Sequence, residues 1–338
     1  MTSPRLQRLG WTQFFAGQLT PADIGLVPVR IATVHRSRLI AETGAGQVML
    51  DPSASATTME FAVGDWVLKE SDGQTVVRRL ERRTLLQRRT ENAHARQLIA
   101  ANVDTMFIVT SCNDDFNLAR LERYLALANE AGISAVIVLT KVDQVEDSGA
   151  FRARAEVLQR DLPVVALNAK APDAADLLLP WCAHGNTVAL VGSSGVGKST
   201  LLNNLADKAP ADAQITGSIR EGDAKGRHTT TSRSLHAIAG GACVIDTPGM
   251  RTLHVSDVDA GLEMLFREIT ELAPNCRFRD CSHAHEPGCA VQAAVTAGDL
   301  SAARLDRWRK LHTENRANTP VHPGPRGNKP HAARGKRR

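Results

Sequence analysis

The sequence predicts a multidomain α/β protein, and three patterns along the chain lead to this prediction. Short alternating strands fill residues 27–80, strands and helices alternate from about residue 99, and a cluster of cysteines and histidines follows residue 275. Strands alternating with helices are typical of a parallel sheet covered by helices. The expected domains are 1–85, a β-barrel with an unassigned N-terminal extension; 86–255, the α/β domain; 256–315, a helical metal-binding domain; and 316–338, a disordered basic tail.

The composition excludes several classes of protein. The chain has 338 residues and no apolar run of about 18, so no membrane span is expected. The N-terminus lacks the charged-then-apolar pattern of an export signal. Six cysteines in a chain of this length do not make a disulfide scaffold, and Cys112, Cys182 and Cys243 are expected to be buried as small apolar residues. The net charge of +5 permits a polyanionic partner.

The alternation in residues 27–80 predicts a small antiparallel β-barrel. Val29, Ile31 and Thr33 alternate with other residue types, and turn signals follow at 44–46 and 72–73. An OB-like barrel fits this size and often binds nucleic acid. The alternative is a generic β domain without a ligand.

An arginine-rich run follows the expected barrel. It comprises Arg78, Arg79, Arg82, Arg83, Arg88 and Arg89. Such a run is usually a solvated face, but its bias here supports the hypothesis that it contacts an RNA phosphate backbone. Removing the charges of Arg82 and Arg83 would then change the salt dependence of RNA binding.

Residues 105–245 predict an open, mostly parallel sheet. Buried strands are expected at 105–110, 135–139, 163–167, 187–191 and 242–245. Asn117 can cap a helix whose apolar residues share one face, and Gly132 would stop it. Ligand-binding loops are expected at the carboxyl ends of such strands.

A glycine-rich loop after strand 187–191 matches the phosphate-binding motif G-x-x-x-x-G-K-S. The loop and the first helical residues are Gly192, Ser193, Ser194, Gly195, Val196, Gly197, Lys198, Ser199 and Thr200. Glycines let successive backbone amides surround a phosphate, and the helix adds the positive end of its dipole. Lys198 is expected to reach the outer phosphates as a catalytic residue, and Ser199 to ligate magnesium. An ordinary glycine-rich turn is the alternative, which the full order of strand, motif and helix disfavours.

Two other loops are candidates for reading a guanine base. The first comprises Thr140, Lys141, Val142 and Asp143, in the place of the N-K-x-D tetrad of GTPases. Asp143 would accept hydrogen bonds from N1–H and the 2-amino group of guanine, a donor pair that adenine lacks. The second comprises Asn168, Ala169 and Lys170, in the place of the S-A-K loop whose backbone contacts the guanine oxygen.

Two segments after the P-loop are candidates for sensing the γ-phosphate. The segment 226–231 contains adjacent threonines, of which Thr230 is expected to complete a magnesium shell with Ser199 and Asp246. A D-x-x-G motif ends at Gly249, whose amide would meet the γ-phosphate. Because the base-reading loops precede the P-loop, the pattern indicates a circularly permuted P-loop GTPase domain.

The C-terminal cluster predicts a zinc site. Cys276, Cys281, His283 and Cys289 are a complete tetrahedral set with no open position, which is typical of structural zinc. His285 is a rival fourth ligand, and reduced cysteines in a loop are the alternative without metal.

These features together resemble the ribosome small-subunit-dependent GTPase A family, also called RsgA, YjeQ or YloQ. The motifs that carry the resemblance are Phe116–Leu118 to Tyr124-Leu125, Thr140–Asp143, Gly192–Thr200, Gly226–Thr231, Asp246–Gly249 and the four metal ligands. The resemblance covers about residues 27–312. Two positions depart from the family pattern, because Thr140 replaces the usual asparagine and Asn168 replaces a commoner serine.

The resemblance implies a cytoplasmic bacterial GTPase that acts late in maturation of the 30S ribosomal subunit. The OB-like barrel and a helical zinc-knuckle domain would contact 16S rRNA, and the subunit would stimulate hydrolysis of GTP to GDP. The implied cofactors are Mg²⁺ with GTP and one structural Zn²⁺. The implied state is a monomer that meets other small-subunit assembly factors and no membrane.

The residue after the D-x-x-G motif agrees with GTP hydrolysis that depends on the subunit. Met250 stands where many GTPases carry the glutamine that orients the attacking water, so slow intrinsic turnover is expected. His228 is the candidate for the missing catalytic group, with ribosomal RNA ordering its loop.

Two rival functions stay open on the sequence alone. One is a P-loop ATPase or kinase, for which ATP would compete equally with GTP. The other is an RNA-binding assembly module with a structural nucleotide, for which the subunit would not change single-turnover hydrolysis.

Overall fold

The computed structural model describes residues 3–89, 96–207, 233–247 and 255–320. The strands in these ranges are β1 Leu26–Val34, β2 Leu39–Glu42, β3 Gln47–Leu50, β4 Trp66–Glu70, β5 Val76–Arg79, β6 Leu85–Arg89, β7 Arg96–Ala101, β8 Thr105–Ser111, β9 Ser134–Thr140, β10 Val164–Ala166, β11 Thr187–Val191, β12 Ser234–Ala237 and β13 Cys243–Asp246. The α-helices are α1 Pro4–Arg8, α2 Gln13–Ala16, α3 Leu118–Glu130, α4 Gly149–Glu156, α5 Lys198–Asp207, α6 Asp259–Leu265, α7 Arg267–Leu272, α8 Ala290–Ala297 and α9 Ala302–Asn318.

The central part of the molecule is a parallel sheet. Its strands run in the order β10-β9-β8-β11-β13, and every neighbouring pair is parallel. The five buried strands predicted from the sequence are confirmed, with ends that differ by at most one residue. Because parallel strands end at the same edge, the loops after β9, β10, β11 and β13 gather along one edge of the sheet.

The N-terminal strands extend this sheet by antiparallel pairing. β12 pairs with β13 and, through Thr33 and Ser234, with β1. β1 pairs with both β2 and β4, β4 pairs with β5, and a bridge between Asp51 and Thr75 brings the end of β3 beside the start of β5. Their apolar side chains form a separate core. The predicted β-rich region is therefore present.

The first 25 residues, left unassigned in the sequence analysis, pack into the core. Leu9, Trp11 and Phe15 are almost fully buried. The ring of Trp11 meets that of Trp66 on β4 edge to face, with centroids 4.8 Å apart. The extension is therefore structural support for the strands beside it.

Within the described residues, at least four of the six arginines in the arginine-rich run are paired with carboxylates of the same chain. The pairs are Arg78–Asp23, Arg82–Asp65, Arg83–Asp104 and Arg89–Asp257. Asp65 is fully buried, and the guanidinium of Arg82 contacts both of its oxygens at 2.7 Å. These arginines therefore form ion pairs within the protein. Fewer of their charges are available to contact RNA phosphates than the sequence suggested.

The helix α3 connects the sheet with the C-terminal helices. It begins where predicted, since the Asn117 side chain accepts a hydrogen bond from the Arg120 amide at 3.0 Å, and it ends before Gly132. Helix α6 lies so close to α3 that a Cβ at Gly261 would overlap the Ala126 carbonyl oxygen. The helices α6 and α7 precede the cysteine cluster, and α8 and α9 follow it. None of the helices in the described ranges is both long and apolar enough to cross a bilayer.

Candidate nucleotide and metal sites

The phosphate-binding motif forms a tight loop between β11 and α5. Gly192 has φ +142°, and a Cβ there would overlap the carbonyl oxygen of Val109 on the neighbouring strand. Only glycine fits this position. Helix α5 begins at Lys198, so the amides of its first turn face the loop as the motif predicts.

The Lys198 side chain folds back over this loop. Its ammonium group donates to the carbonyl oxygens of Gly192 at 2.9 Å and of Ser193 at 2.6 Å. These contacts hold a positive charge at the mouth of the loop. Ser199, the next residue, is exposed.

The first base-reading loop lies directly beside the P-loop. Thr140 ends β9 and is fully buried, and its hydroxyl lies 2.6 Å from the Val196 carbonyl oxygen and 3.2 Å from that of Thr110. A hydroxyl has one proton, so the shorter contact is the hydrogen bond that joins the two loops. Lys141 then takes a left-handed conformation with φ 59°, and Asp143 is exposed in the turn that follows.

The second base-reading loop is joined to the P-loop helix. The amide of Asn204 on α5 donates to the carbonyl oxygens of Ala169 at 2.6 Å and Ala171 at 3.4 Å. Sequence reasoning missed Asn204 because it belongs to no motif. Asn168, which replaces the commoner serine, accepts a hydrogen bond from the Lys170 amide at 2.9 Å.

Asp246 ends β13 and pairs in register with Leu190. Burial raises the pKa of its carboxyl group, while the charges of Lys198 and His236 act in the opposite direction. Its Oδ1 atom is buried and has no hydrogen-bond partner in the part of the chain that the structure describes. An unpaired buried carboxylate oxygen beside a phosphate-binding loop is compatible with the hypothesis that Asp246 holds magnesium through water.

Three predicted functional residues lie outside the described residues. They are His228, Thr230 and Gly249. The γ-phosphate-sensing segments therefore stay predictions from the sequence.

The four predicted metal ligands come together near the C-terminus. One ligand atom from each of Cys276, Cys281, His283 and Cys289 lies within 4.8 Å of the others. The Sγ atoms of Cys276 and Cys289 are 3.8 Å apart, and His283 Nδ1 lies 3.5 and 3.4 Å from them. Tetrahedral zinc with thiolates at about 2.3 Å places sulfur atoms about 3.8 Å apart, so the cluster fits Zn²⁺.

Neighbouring side chains hold His283 in this arrangement. Its backbone has φ 57°, and its carbonyl oxygen accepts hydrogen bonds from Gln292 of α8 and Arg309 of α9. The rival ligand His285 is not part of the cluster, and its amide donates to Glu286 instead. The structure thus selects His283 from the two candidate histidines.

Comparison with known proteins agrees with this geometry. The model of the RsgA GTPase family matches residues 79–256, which include the P-loop and both base-reading loops. The chain belongs to the RsgA GTPase family. Proteins of the RsgA family are GTPases, so GTP hydrolysis is the activity assigned to this chain.

Full-length relatives have the same family name. The chain is 63% identical over 337 residues to the small ribosomal subunit biogenesis GTPase RsgA of Mesorhizobium japonicum, covering 100% of this chain and 97% of that protein. It is 46% identical over 319 residues to RsgA 2 of Vibrio parahaemolyticus, with coverage of 94% and 87%. Both alignments extend well beyond the residues matched by the family model.

Two solved structures are similar in fold. YloQ, described as a circularly permuted GTPase, has a TM-score of 0.60 and 25% identity, covering 90% of this chain and 100% of that one. YjeQ from Thermotoga maritima has a TM-score of 0.62 and 24% identity, with coverage of 86% and 98%. In this RsgA-family chain the base-reading loops at 140–143 and 168–170 precede the P-loop. This is the motif order expected of a circularly permuted GTPase.

Proposed function

We propose that this GTPase binds the 30S ribosomal subunit late in its maturation, and that the subunit stimulates hydrolysis of GTP to GDP and phosphate. The hydrogen bond between Thr140 and Val196 carries the proposal, because it joins the base-reading tetrad to the P-loop in one pocket. The subunit as partner is supported by the relatives, which are named small ribosomal subunit biogenesis GTPases.

The base would be recognised by loops at the ends of β9 and β10. The Asp143 carboxylate accepts two hydrogen bonds from guanine, Lys141 packs along the base, and Val142 holds the turn between them. The amide of Ala169 donates to the guanine oxygen. Adenine presents neither the donor pair nor that oxygen, so it would leave buried polar groups unpaired.

The phosphates would be held by the amides of residues 192–200 and by the ammonium group of Lys198. Magnesium, with ligands from Ser199, Thr230 and Asp246, would neutralise charge on the outer phosphates. The unpaired Asp246 oxygen supports this ligand set.

The proposed hydrolysis depends on groups outside the P-loop. The amide of Gly249 would bind the γ-phosphate, and His228 would orient the attacking water. A His228→Ala protein should lose the stimulation by the subunit while it still binds GTP. Undiminished stimulated turnover would show that another group orients the water.

The subunit would be bound by the regions on either side of the GTPase domain, with boundaries near residues 85, 255 and 315. The pairing of β1 with both β2 and β4, together with the Asp51–Thr75 bridge, supports an OB-like barrel as one RNA-binding surface. The metal-binding helices would provide the second surface. The protein would act as a cytoplasmic monomer beside other assembly factors.

The test is GTP turnover by the full chain with 30S subunits, with 50S subunits and with buffer alone. We expect turnover to rise with 30S subunits only, and a Lys198→Ala protein to show no turnover in any condition. Equal turnover in all three conditions would contradict the role of the subunit. Equal competition by ATP would favour an ATPase, and single-turnover rates that 30S subunits leave unchanged would favour a structural nucleotide.

A further inference from the structure

Asn204 joins two loops that the known motifs treat as separate. It lies on α5, shortly after Lys198, and its side-chain amide reaches the carbonyl oxygens of Ala169 and Ala171 at 2.6 and 3.4 Å. An amide nitrogen carries two protons, so it can donate to both. The helix that presents the phosphate-binding lysine therefore also holds the loop that follows β10.

Hydrogen bonds within residues 168–171 occupy two of the four backbone amides. The Lys170 amide donates to the Asn168 side chain, and the Ala171 amide donates to the Asn168 carbonyl oxygen, both at 2.9 Å. The Ala169 amide donates to no acceptor within the described ranges. The Asn168 amide has no acceptor within those ranges either, so the two successive amides of Asn168 and Ala169 are left to donate to a bound base.

The peptide that follows the Ala169 amide is fixed at both ends. Its carbonyl group, from Ala169, is held by Asn204, and its N–H group, from Lys170, is held by Asn168. Because a peptide unit is planar, fixing both ends fixes its orientation and restricts the backbone of Ala169. Ala169 is buried. A Cβ placed on Gly197 would lie 3.6 Å from the Cβ of Ala169, so the loop after β10 packs directly against the P-loop.

We propose that Asn204 is a positioning residue for guanine recognition, which presents the Ala169 amide to the oxygen at position 6 of the base. The proposal rests on the nucleotide pocket described under the proposed function. Without Asn204, the Ala169 carbonyl oxygen loses its donor, the Ala171 carbonyl oxygen keeps only the Ala174 amide, and the loop loses its connection to α5. The base would then lose one hydrogen bond, while the phosphate contacts would remain.

The test measures dissociation constants of three nucleotides for the full chain without ribosomal subunits. GTP is compared with 6-thioguanosine triphosphate, which replaces the oxygen at position 6 by sulfur and keeps both donors read by Asp143. Inosine triphosphate keeps that oxygen and lacks the 2-amino group. The variants are Asn204→Ala and, as matched control, Asn203→Ala, which removes an exposed asparagine from the same helix.

In the unaltered protein and in Asn203→Ala, we expect sulfur substitution to weaken binding about tenfold, the effect of one hydrogen bond. In Asn204→Ala this factor should fall below about threefold, while the inosine penalty stays unchanged. A retained sulfur penalty, or an equal fall of both penalties, would overturn the role of Asn204. If Asn204→Ala does not fold, Asn204→Ser is measured in the same way.

Nucleotide binding by the unaltered protein tests the guanine-specific pocket separately from the role of Asn204. If it does not bind GTP, or binds ATP as well as GTP, the nucleotide pocket itself is wrong and the role of Asn204 falls with it. If it prefers GTP and the Asn204 variants keep the full sulfur penalty, only the role of Asn204 is wrong.

Discussion

The nucleotide edge of the sheet and the flank that carries the C-terminal helices are held together by different chemistry. At the nucleotide edge, the hydroxyl of Thr140 and the amide of Asn204 donate to backbone carbonyl oxygens, and both groups are neutral. At the flank, the guanidinium of Arg304 on α9 binds Glu122 of α3 at 2.7 Å and Glu268 of α7 at 2.8 Å.

The two kinds of contact differ in their expected contribution to stability, because the charged pair is buried. The side chain of Arg304 is 7% exposed and that of Glu122 is 0% exposed, and Arg307 adds a second contact to Glu122 at 2.8 Å. Breaking a buried ion pair costs about 3–5 kcal/mol, whereas a neutral hydrogen bond contributes about 0.5–1.5 kcal/mol. The contacts that hold the C-terminal helices to α3 should therefore contribute more to stability than the contacts that hold the base-reading loops.

The largest expected effect comes from removing the metal site at the flank that carries the C-terminal helices. A Cys276→Ser protein should lose one bound zinc ion per chain and much of the stability of the C-terminal helices, because structural zinc contributes about 10 kcal/mol in isolated zinc-binding peptides. Zinc content by elemental analysis and thermal unfolding measure both effects. The control is His285→Ala, which should keep its zinc because His285 lies outside the cluster. Zinc-free protein with unchanged unfolding would contradict a structural metal.

The next effect separates the two kinds of contact directly. Arg304→Met should lower the free energy of unfolding by about 3 kcal/mol, the low end of the cost of breaking a buried ion pair, because Glu122 keeps Arg307 as a partner. Its affinity for GTP should not change. The control is Lys310→Met on the same helix, whose solvent-exposed pair with Asp306 should contribute far less to stability. Urea unfolding measures the change, and equal losses in the two variants would contradict the assignment.

The smallest effect is expected at the neutral contact of the nucleotide edge. Thr140→Val keeps the shape of the side chain and removes the donor to the Val196 carbonyl oxygen. GTP should bind about tenfold more weakly, because the base-reading loop is no longer fixed to the P-loop. Thr140→Ser, which keeps the hydroxyl, is the control and should bind GTP as the unaltered protein does. Equal binding by Thr140→Val would show that the contact does not position the loop.

Local patterns explain which parts of this molecule could be predicted from sequence. The apolar strands before Thr140 and Gly192, the cap at Asn117 and the spacing of Cys276 to Cys289 are each properties of short segments. The carboxyl-edge rule for parallel strands then placed the base-reading loops beside the P-loop. The contact of Thr140 with Val196 agrees with that placement.

The parts that sequence reasoning missed depend on distant partners. Trp11 is buried because Trp66 meets it, and nothing in residues 1–25 has a regular period. Arg82 looked like part of a solvated basic run, but it pairs with the buried carboxylate of Asp65. Asn204 lies beside a known motif, yet its role depends on carbonyl groups that come from the loop after β10. Polar residues reveal such roles only when the fold supplies the partner.

The most direct test of the central claim, that loops in permuted order form one guanine-specific pocket, is nucleotide binding by Asp143→Asn. In asparagine an NH2 group replaces one of the two carboxylate oxygens, so it faces a donor of guanine but can donate to the carbonyl group at position 2 of xanthine. We predict that GTP binds at least about tenfold more weakly than to the unaltered protein, and that xanthosine triphosphate binds more tightly. Unchanged GTP affinity in this variant would contradict a pocket in which Asp143 reads the base.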